Sequence, residues 1–176
     1  MSHNIPKPEE FFGHQLGADR KLAHWNKIVE YFWELDKTPM VKVEELGKST
    51  EGNPFLLAVI TSEENMERLD EIRLQSWKLA HPKGVPEEEI NAIIENGTAV
   101  VSMSMSIHAT EVGGTQMAPE LAWELISLPE NKQILDNTVL LMFPCFNPDG
   151  QIMVTEFYEQ YLGTEYEGCS PPWLYH

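Results

Sequence analysis

The spacing of apolar positions divides the chain into segments of different period. Over residues 18–36, Leu22, Trp25, Ile28, Val29, Phe32 and Trp33 recur at intervals of three and four, which predicts a helix with one buried face that stops before Pro39. The preceding stretch "HNIPKPEEFFGHQLG" has no period and reads as an irregular arm over residues 1–17, with Phe11 and Phe12 docked on the body. In "MVKVEELGKSTEGNPFLLAVIT", two β-rich runs at about 40–46 and 54–61 flank a Gly, Ser, Thr and Asn turn, which predicts a β-hairpin. A charged helix over about 63–80 follows, with Ser62 as cap and Met66, Leu69, Ile72 and Trp77 facing inward. Pro86 and the acids Glu87, Glu88 and Glu89 predict a second, short helix that closes near Gly97. Proline suits the first helical position, and acids suit the positive end of the helix dipole.

The next period is of two. "TAVVSMSMSI" (98–107) alternates Met103, Met105 and Ile107 with Ser102, Ser104 and Ser106, a strand expected to be covered on both faces. "TQMAPELAWELISL" (115–128) reads as a helix and "TVLLMFP" (138–144) as another strand. This is a β-α-β unit, whose crossover makes its two strands parallel neighbours in one sheet. After Pro144 the pattern weakens, and "GTEYEGCSPPWLYH" reads as loop. The fold class is therefore α/β, one domain built on a mixed, largely parallel central sheet with helices on both faces.

Composition narrows the class of partner. The 176 residues are 42% hydrophobic and 10% aromatic, as expected of a folded domain, and 12 basic against 28 acidic side chains give a formal charge of −16. Such a surface repels nucleic acid and anionic membranes, which are bound mainly through Lys and Arg. No apolar run approaches the ~20 residues of a membrane span. The opening "MSHNIPKPEE" has neither the basic nor the apolar part of a secretory signal. That fits a cytoplasmic protein equally with a secreted or periplasmic one whose signal has been removed. Cys145 and Cys169 are compatible with one disulfide or with two free thiols.

Open parallel sheets bind ligands beyond the carboxyl ends of their strands. His108 and Glu111 lie there after the first central strand, and Asn147 and Asp149 in "PCFNPDG" lie there after the second. Residues three apart in a helical turn face the same way, so the imidazole and carboxylate of His108-x-x-Glu111 can converge on one cation. Gly113 and Gly114 are expected to turn the backbone sharply after them through positive φ. The ordinary readings stand beside these: His-x-x-Glu as a surface pair, and Asn-Pro-Asp-Gly as a turn.

Three blocks in this order resemble the zinc carboxypeptidases of the M14, or funnelin, type. They are the hairpin "VEELGKSTEGNPFLLAVI" with its Gly-Lys-Ser-x-x-Gly turn, the strand end "SIHATEVGG", and "LLMFPCFNPDG". They span about residues 40–150. The resemblance implies that His108 and Glu111 are zinc ligands, that Zn2+ is the cofactor, and that a peptide or amide bond is the substrate. It also implies that residues 18–176 are the N-terminal portion of the catalytic domain. The family's third ligand, a histidine, its general-base glutamate and an Asn-Arg pair lie beyond the Asn-Pro-Asp-Gly loop, and nothing here matches them. The chain alone is therefore expected to be inactive, and no catalytic residue is assigned.

Other acids and histidines are weaker candidates. His176 is terminal, where ordering is poor, and His3, His14, His24 and His81 precede the motif, with His24 expected inside the first helix. Glu120 and Glu124 lie on the helix after the motif, where the dipole already accounts for acids. The position where many family members carry Arg within the zinc motif is Thr110, which bears on substrate choice. Two rivals remain: a non-catalytic α/β binding module that keeps the fold without zinc, and a small metal-binding protein completed by His176 or by a second protomer.

Overall fold

The computed structural model describes residues 5–172. The arm carries one helical turn, α1 (Pro8–Phe12), with proline in its first turn and Gly13 closing it at φ 77°. Phe11 and Phe12 pack as expected, their rings 4.9 and 5.5 Å from that of Tyr31. The buried Tyr31 hydroxyl donates to the Pro6 carbonyl at 2.9 Å.

The first long helix, α2 (Trp25–Leu35), starts later than its apolar spacing suggests. Gly17 and Arg20 both adopt left-handed backbone, at φ 83° and 60°, which breaks the segment before Trp25 into turns. Consequently His24 is the N-cap of α2 rather than an interior residue, and its ring nitrogen accepts the Asn26 N–H at 3.2 Å. Trp25, Ile28, Phe32 and Leu35 are fully buried, whereas Trp33 is 39% exposed.

The hairpin forms as β1 (Val41–Lys48) and β2 (Pro54–Ile60), antiparallel, with a register irregularity between Glu45 and Gly47. The charged segment is divided at Arg68 (φ −116°) into α3 (Glu63–Glu67), capped by Ser62, and α4 (Leu69–Ala80). Just before the break, Asn65 is buried and donates to the Leu135 and Asp136 carbonyls, both at 3.0 Å. Ile72 is buried on α4, but Trp77 is 55% exposed. In α5 (Glu87–Asn96) Pro86 stands at the N-cap, one position earlier than expected, and no residue of the helix is buried.

The β-α-β unit consists of β3 (Ala99–Ser104), α6 (Val112–Ser127) and β4 (Thr138–Phe143), with α7 (Lys132–Asn137) between α6 and β4. Strand order is β1-β2-β4-β3, with β3 and β4 parallel and β2 and β4 antiparallel. Alternation along the strands sends Leu56, Ala58, Ile60, Leu140 and Met142 into the main core with α2 and α6. Val59 and Val139 pack with Ile72 of α4 on the other face. Helices thus cover both faces of the inner strands.

Two expectations about β3 fail, for physical reasons. β3 is shorter than predicted, ending at Ser104, and is not covered on both faces: Val100 and Val101 are 41% and 44% exposed. Among the described residues it is an end strand, paired only with β4. The segment after Pro144, where the apolar pattern weakens, forms α8 (Pro148–Tyr161), and residues 163–172 are turns and irregular chain, as expected for that stretch. The buried positions of α8 include Pro148, Gly150, Gln151 and Thr155, so no apolar stripe announces it. Among the described residues, no helix is long and apolar enough to cross a membrane.

Candidate metal centre

The rim of the sheet is built by knitting two strand ends together. Beyond β3, the Met105 N–H donates to the Phe143 carbonyl at 3.0 Å, and the Phe146 N–H returns a bond to the Met105 carbonyl at 2.7 Å. Asn147 adds a third tie: its amide donates to the Ile107 carbonyl at 3.1 Å while its Oδ1 accepts the Gly150 N–H at 2.9 Å, capping α8. Gly150 then meets Ala109 closely, for a β-carbon added there would fall 2.7 Å from Ala109 Cβ. The backbone on either side of His108 is therefore held from below by the loop after β4.

With that backbone fixed, His108 and Glu111 come together above it. The Glu111 N–H donates to the His108 carbonyl at 3.0 Å, closing a tight turn, and His108 Nδ1 lies 2.8 Å from Glu111 Oε2. Both side chains face solvent, 55% and 62% exposed. Glu111 is also the N-cap of α6, where a carboxylate is favoured by the helix dipole with or without a metal. Gly113 and Gly114 do not turn through positive φ as expected; both lie in the first turn of α6.

Asn147 and Asp149 are brought to the same rim but are absorbed by the fold. Asp149 accepts from Ser49 Oγ at 2.5 Å, Asn53 Nδ2 at 2.8 Å and the Glu51 N–H at 3.1 Å, fastening the hairpin turn to α8. Burial works against its charge, but the hydrogen bonds from Ser49, Asn53 and the Glu51 and Thr50 amides outweigh it. They hold the carboxyl below the usual carboxylate range. "Asn-Pro-Asp-Gly" is thus a helix start rather than a free turn. Asn before Pro is itself a capping signal that points to this.

The remaining candidates lie apart from the pair. His24 caps α2, with Nε2 3.5 Å from Glu156. His14 Nδ1 is 3.2 Å from the Phe12 carbonyl, and His81 stacks on Trp77 at 4.8 Å. Burial, then the neighbouring charges of Glu124 and Glu9, raise the carboxyl of Glu120 above its ordinary pKa. A cavity of about 530 Å³ opens beside the motif, lined by Thr110, Val112, Gly113, Met117, Glu120 and Tyr158 among others. Cys145 is buried and Cys169 exposed, both as free thiols, and burial pushes Cys145 up to about 11.

Among the described residues, no group of three His, Cys, Asp or Glu side chains is placed to hold a metal ion. His3 and His176 lie outside the described residues. An imidazole nitrogen and a carboxylate oxygen meeting at one open point are donor types suited to zinc. A catalytic zinc site requires three protein ligands, and this pair offers two donors of those types.

The zinc carboxypeptidase family model matches residues 28–167, and this chain belongs to that family. Its fold is similar to the crystal structure of carboxypeptidase A from Helicoverpa armigera, with TM-score 0.55 and 18% identity over 84% of this chain and 32% of that one. It is also similar to the crystal structure of thrombin activatable fibrinolysis inhibitor, with TM-score 0.51 and 13% identity over 82% of this chain and 33% of the other. The chain thus spans about a third of the length of each, and at these identities the likeness is one of fold. No curated protein matches it.

Proposed function

We propose that this chain provides the zinc-binding rim of a metallocarboxypeptidase-like hydrolase acting on peptide or amide bonds, with His108 and Glu111 as two of the zinc ligands. The convergence of His108 Nδ1 and Glu111 Oε2 at 2.8 Å, on an exposed rim and within the family's match, is the observation that carries this reading. When bound, zinc supplies a Lewis acid that polarises a carbonyl and eases ionisation of water. The chain's own residues bind and orient: Asn147 and Gly150 fix the backbone around His108, and Thr110 faces the 530 Å³ cavity in which a substrate side chain would sit. In this reading the third ligand and the general base come from residues other than those described, and the described pair alone holds zinc weakly.

A second reading, a binding module without zinc, draws on the exposed apolar side chains of Leu74, Trp77, Ile94, Val100 and Val101. Metal content separates the two. The natural full-length protein is expected to carry about one zinc per chain, lost in His108→Ala and in Glu111→Ala. Stoichiometric zinc retained in both variants overturns the ligand assignment, and a zinc-free wild type favours the binding module.

A further inference from the structure

Apart from Arg20, Ser106 is the only non-glycine at positive φ among the described residues, at φ 45°. Left-handed backbone is unfavourable for a residue with a β-carbon, so it persists only where its surroundings hold it. Ser106 lies two residues before His108, and the peptide groups around it are tied down. Met105 is bonded on both its N–H and its carbonyl to the rim of β4, and the Ile107 carbonyl accepts from Asn147.

The Ser106 hydroxyl occupies an unusual place. It donates to the Glu111 carbonyl at 2.5 Å and accepts the Thr115 N–H at 3.0 Å. Glu111 and Thr115 are the residues whose carbonyl and amide would close the first hydrogen bond of α6. In α2 and α4 the corresponding bond closes directly, from Ile28 to His24 at 3.2 Å and from Ile72 to Arg68 at 3.1 Å. In α6 the hydroxyl of Ser106 bridges the two. Gly114 makes room for it, since a β-carbon there would lie 3.2 Å from Ser106 Oγ and 3.4 Å from Ser106 N. One glycine of the pair thus serves close approach rather than a turn.

From this geometry, and resting on the zinc reading above, we infer that Ser106 is a positioning residue whose hydroxyl and left-handed backbone set the separation of His108 and Glu111. The backbone of Ser106 turns the chain off β3 toward His108. Its side chain holds the main chain of Glu111 from the opposite side, so both ligands are referred to one residue. The hydroxyl touches no reacting group; its effect passes through the ligand backbone, and it therefore tunes metal affinity and geometry.

The test is titration of the natural full-length protein with Co2+, read by its visible absorption and dissociation constant, for wild type, His108→Ala, Ser106→Ala and Ser106→Gly. Glycine adopts φ 45° freely, so Ser106→Gly removes the hydroxyl without adding backbone strain and remains informative if Ser106→Ala fails to fold. The expected result is one equivalent bound by wild type and none by His108→Ala. Ser106→Gly is expected to bind about tenfold or more weakly with a shifted band, in the range seen when outer contacts of metal ligands are removed. Wild-type affinity and band shape in folded Ser106→Gly overturn the inference while leaving the zinc reading intact, because a merely structural serine would lower thermal stability alone. Absence of Co2+ from wild type, or its retention by His108→Ala, overturns the zinc reading and this inference with it.

Discussion

Two neighbouring loops leave the same rim of the sheet and have opposite fates. In the loop after β4, Asn147, Pro148 and Gly150 are buried, and the polar groups of Asn147 and Asp149 bond to the Ile107 carbonyl, the start of α8 and the hairpin turn. In the loop after β3, Met105 and Ala109 are buried, while Ile107, His108, Thr110 and Glu111 face solvent. Location at a strand's carboxyl end is therefore not sufficient for a site. One loop spends its polar groups on holding the other, and the held loop presents an imidazole and a carboxylate outward.

The comparison predicts that stability and metal binding separate between the loops. The largest loss of stability is expected for Gly150→Ala. Its new β-carbon meets Ala109 Cβ and Asn147 Nδ2, each at 2.7 Å, and overpacking of this kind costs about 1–3 kcal/mol or more. Urea unfolding measures that cost, and weakened zinc binding is expected to accompany it because the collision displaces the backbone beside His108. Asn147→Ala removes the cap of α8 and the bond to Ile107 together, for a loss of about 2 kcal/mol by the same assay.

Asp149→Asn comes next, at about 1–2 kcal/mol, since charge-assisted bonds to the hairpin turn weaken. It should also change the pH dependence of stability in a defined direction. Above the ordinary carboxylate pKa of about 3.9 the folded and unfolded carboxyls are both ionised, and the stabilisation from Asp149 is fully present. As pH falls, the unfolded chain takes up its proton first, and the stabilisation disappears through the lowered folded-state pKa. Thermal melts between pH 7 and pH 3 should therefore show a steeper acid loss for wild type than for Asp149→Asn.

The smallest stability effect belongs to the outward-facing loop. His108→Ala, which is expected to abolish zinc binding, should change unfolding free energy by no more than about 0.5 kcal/mol in metal-free protein, because both side chains of the pair are more than half exposed. Equal destabilisation by His108→Ala and Asn147→Ala would break the comparison. Thiol labelling sharpens it further: exposed Cys169 should react at once, and buried Cys145, next to the clamp, only as the loop after β4 opens.

The parts legible in the sequence are those where period and burial coincide. The hairpin, the parallel pairing of β3 and β4, and α2 are all built from apolar residues facing one core. What was not legible is packed by other means. α8 turns Gly150, Gln151 and Thr155 inward, and these do not read as a buried face. β3 alternates properly yet lies at the end of the sheet, so alternation overstated its cover. The His108–Glu111 pair could be marked from spacing, but Ser106, Gly114 and Gly150 act through close approach and backbone conformation, which only the three-dimensional arrangement exposes.

The central claim, that the outward-facing loop holds zinc, is tested most directly by an anomalous difference map. Crystals of the natural full-length protein grown with zinc, measured on either side of the zinc absorption edge, would supply it. The account predicts a peak about 2.0–2.2 Å from a ring nitrogen of His108 and a carboxylate oxygen of Glu111. A zinc peak held by other residues, with neither His108 nor Glu111 among its ligands, would contradict it.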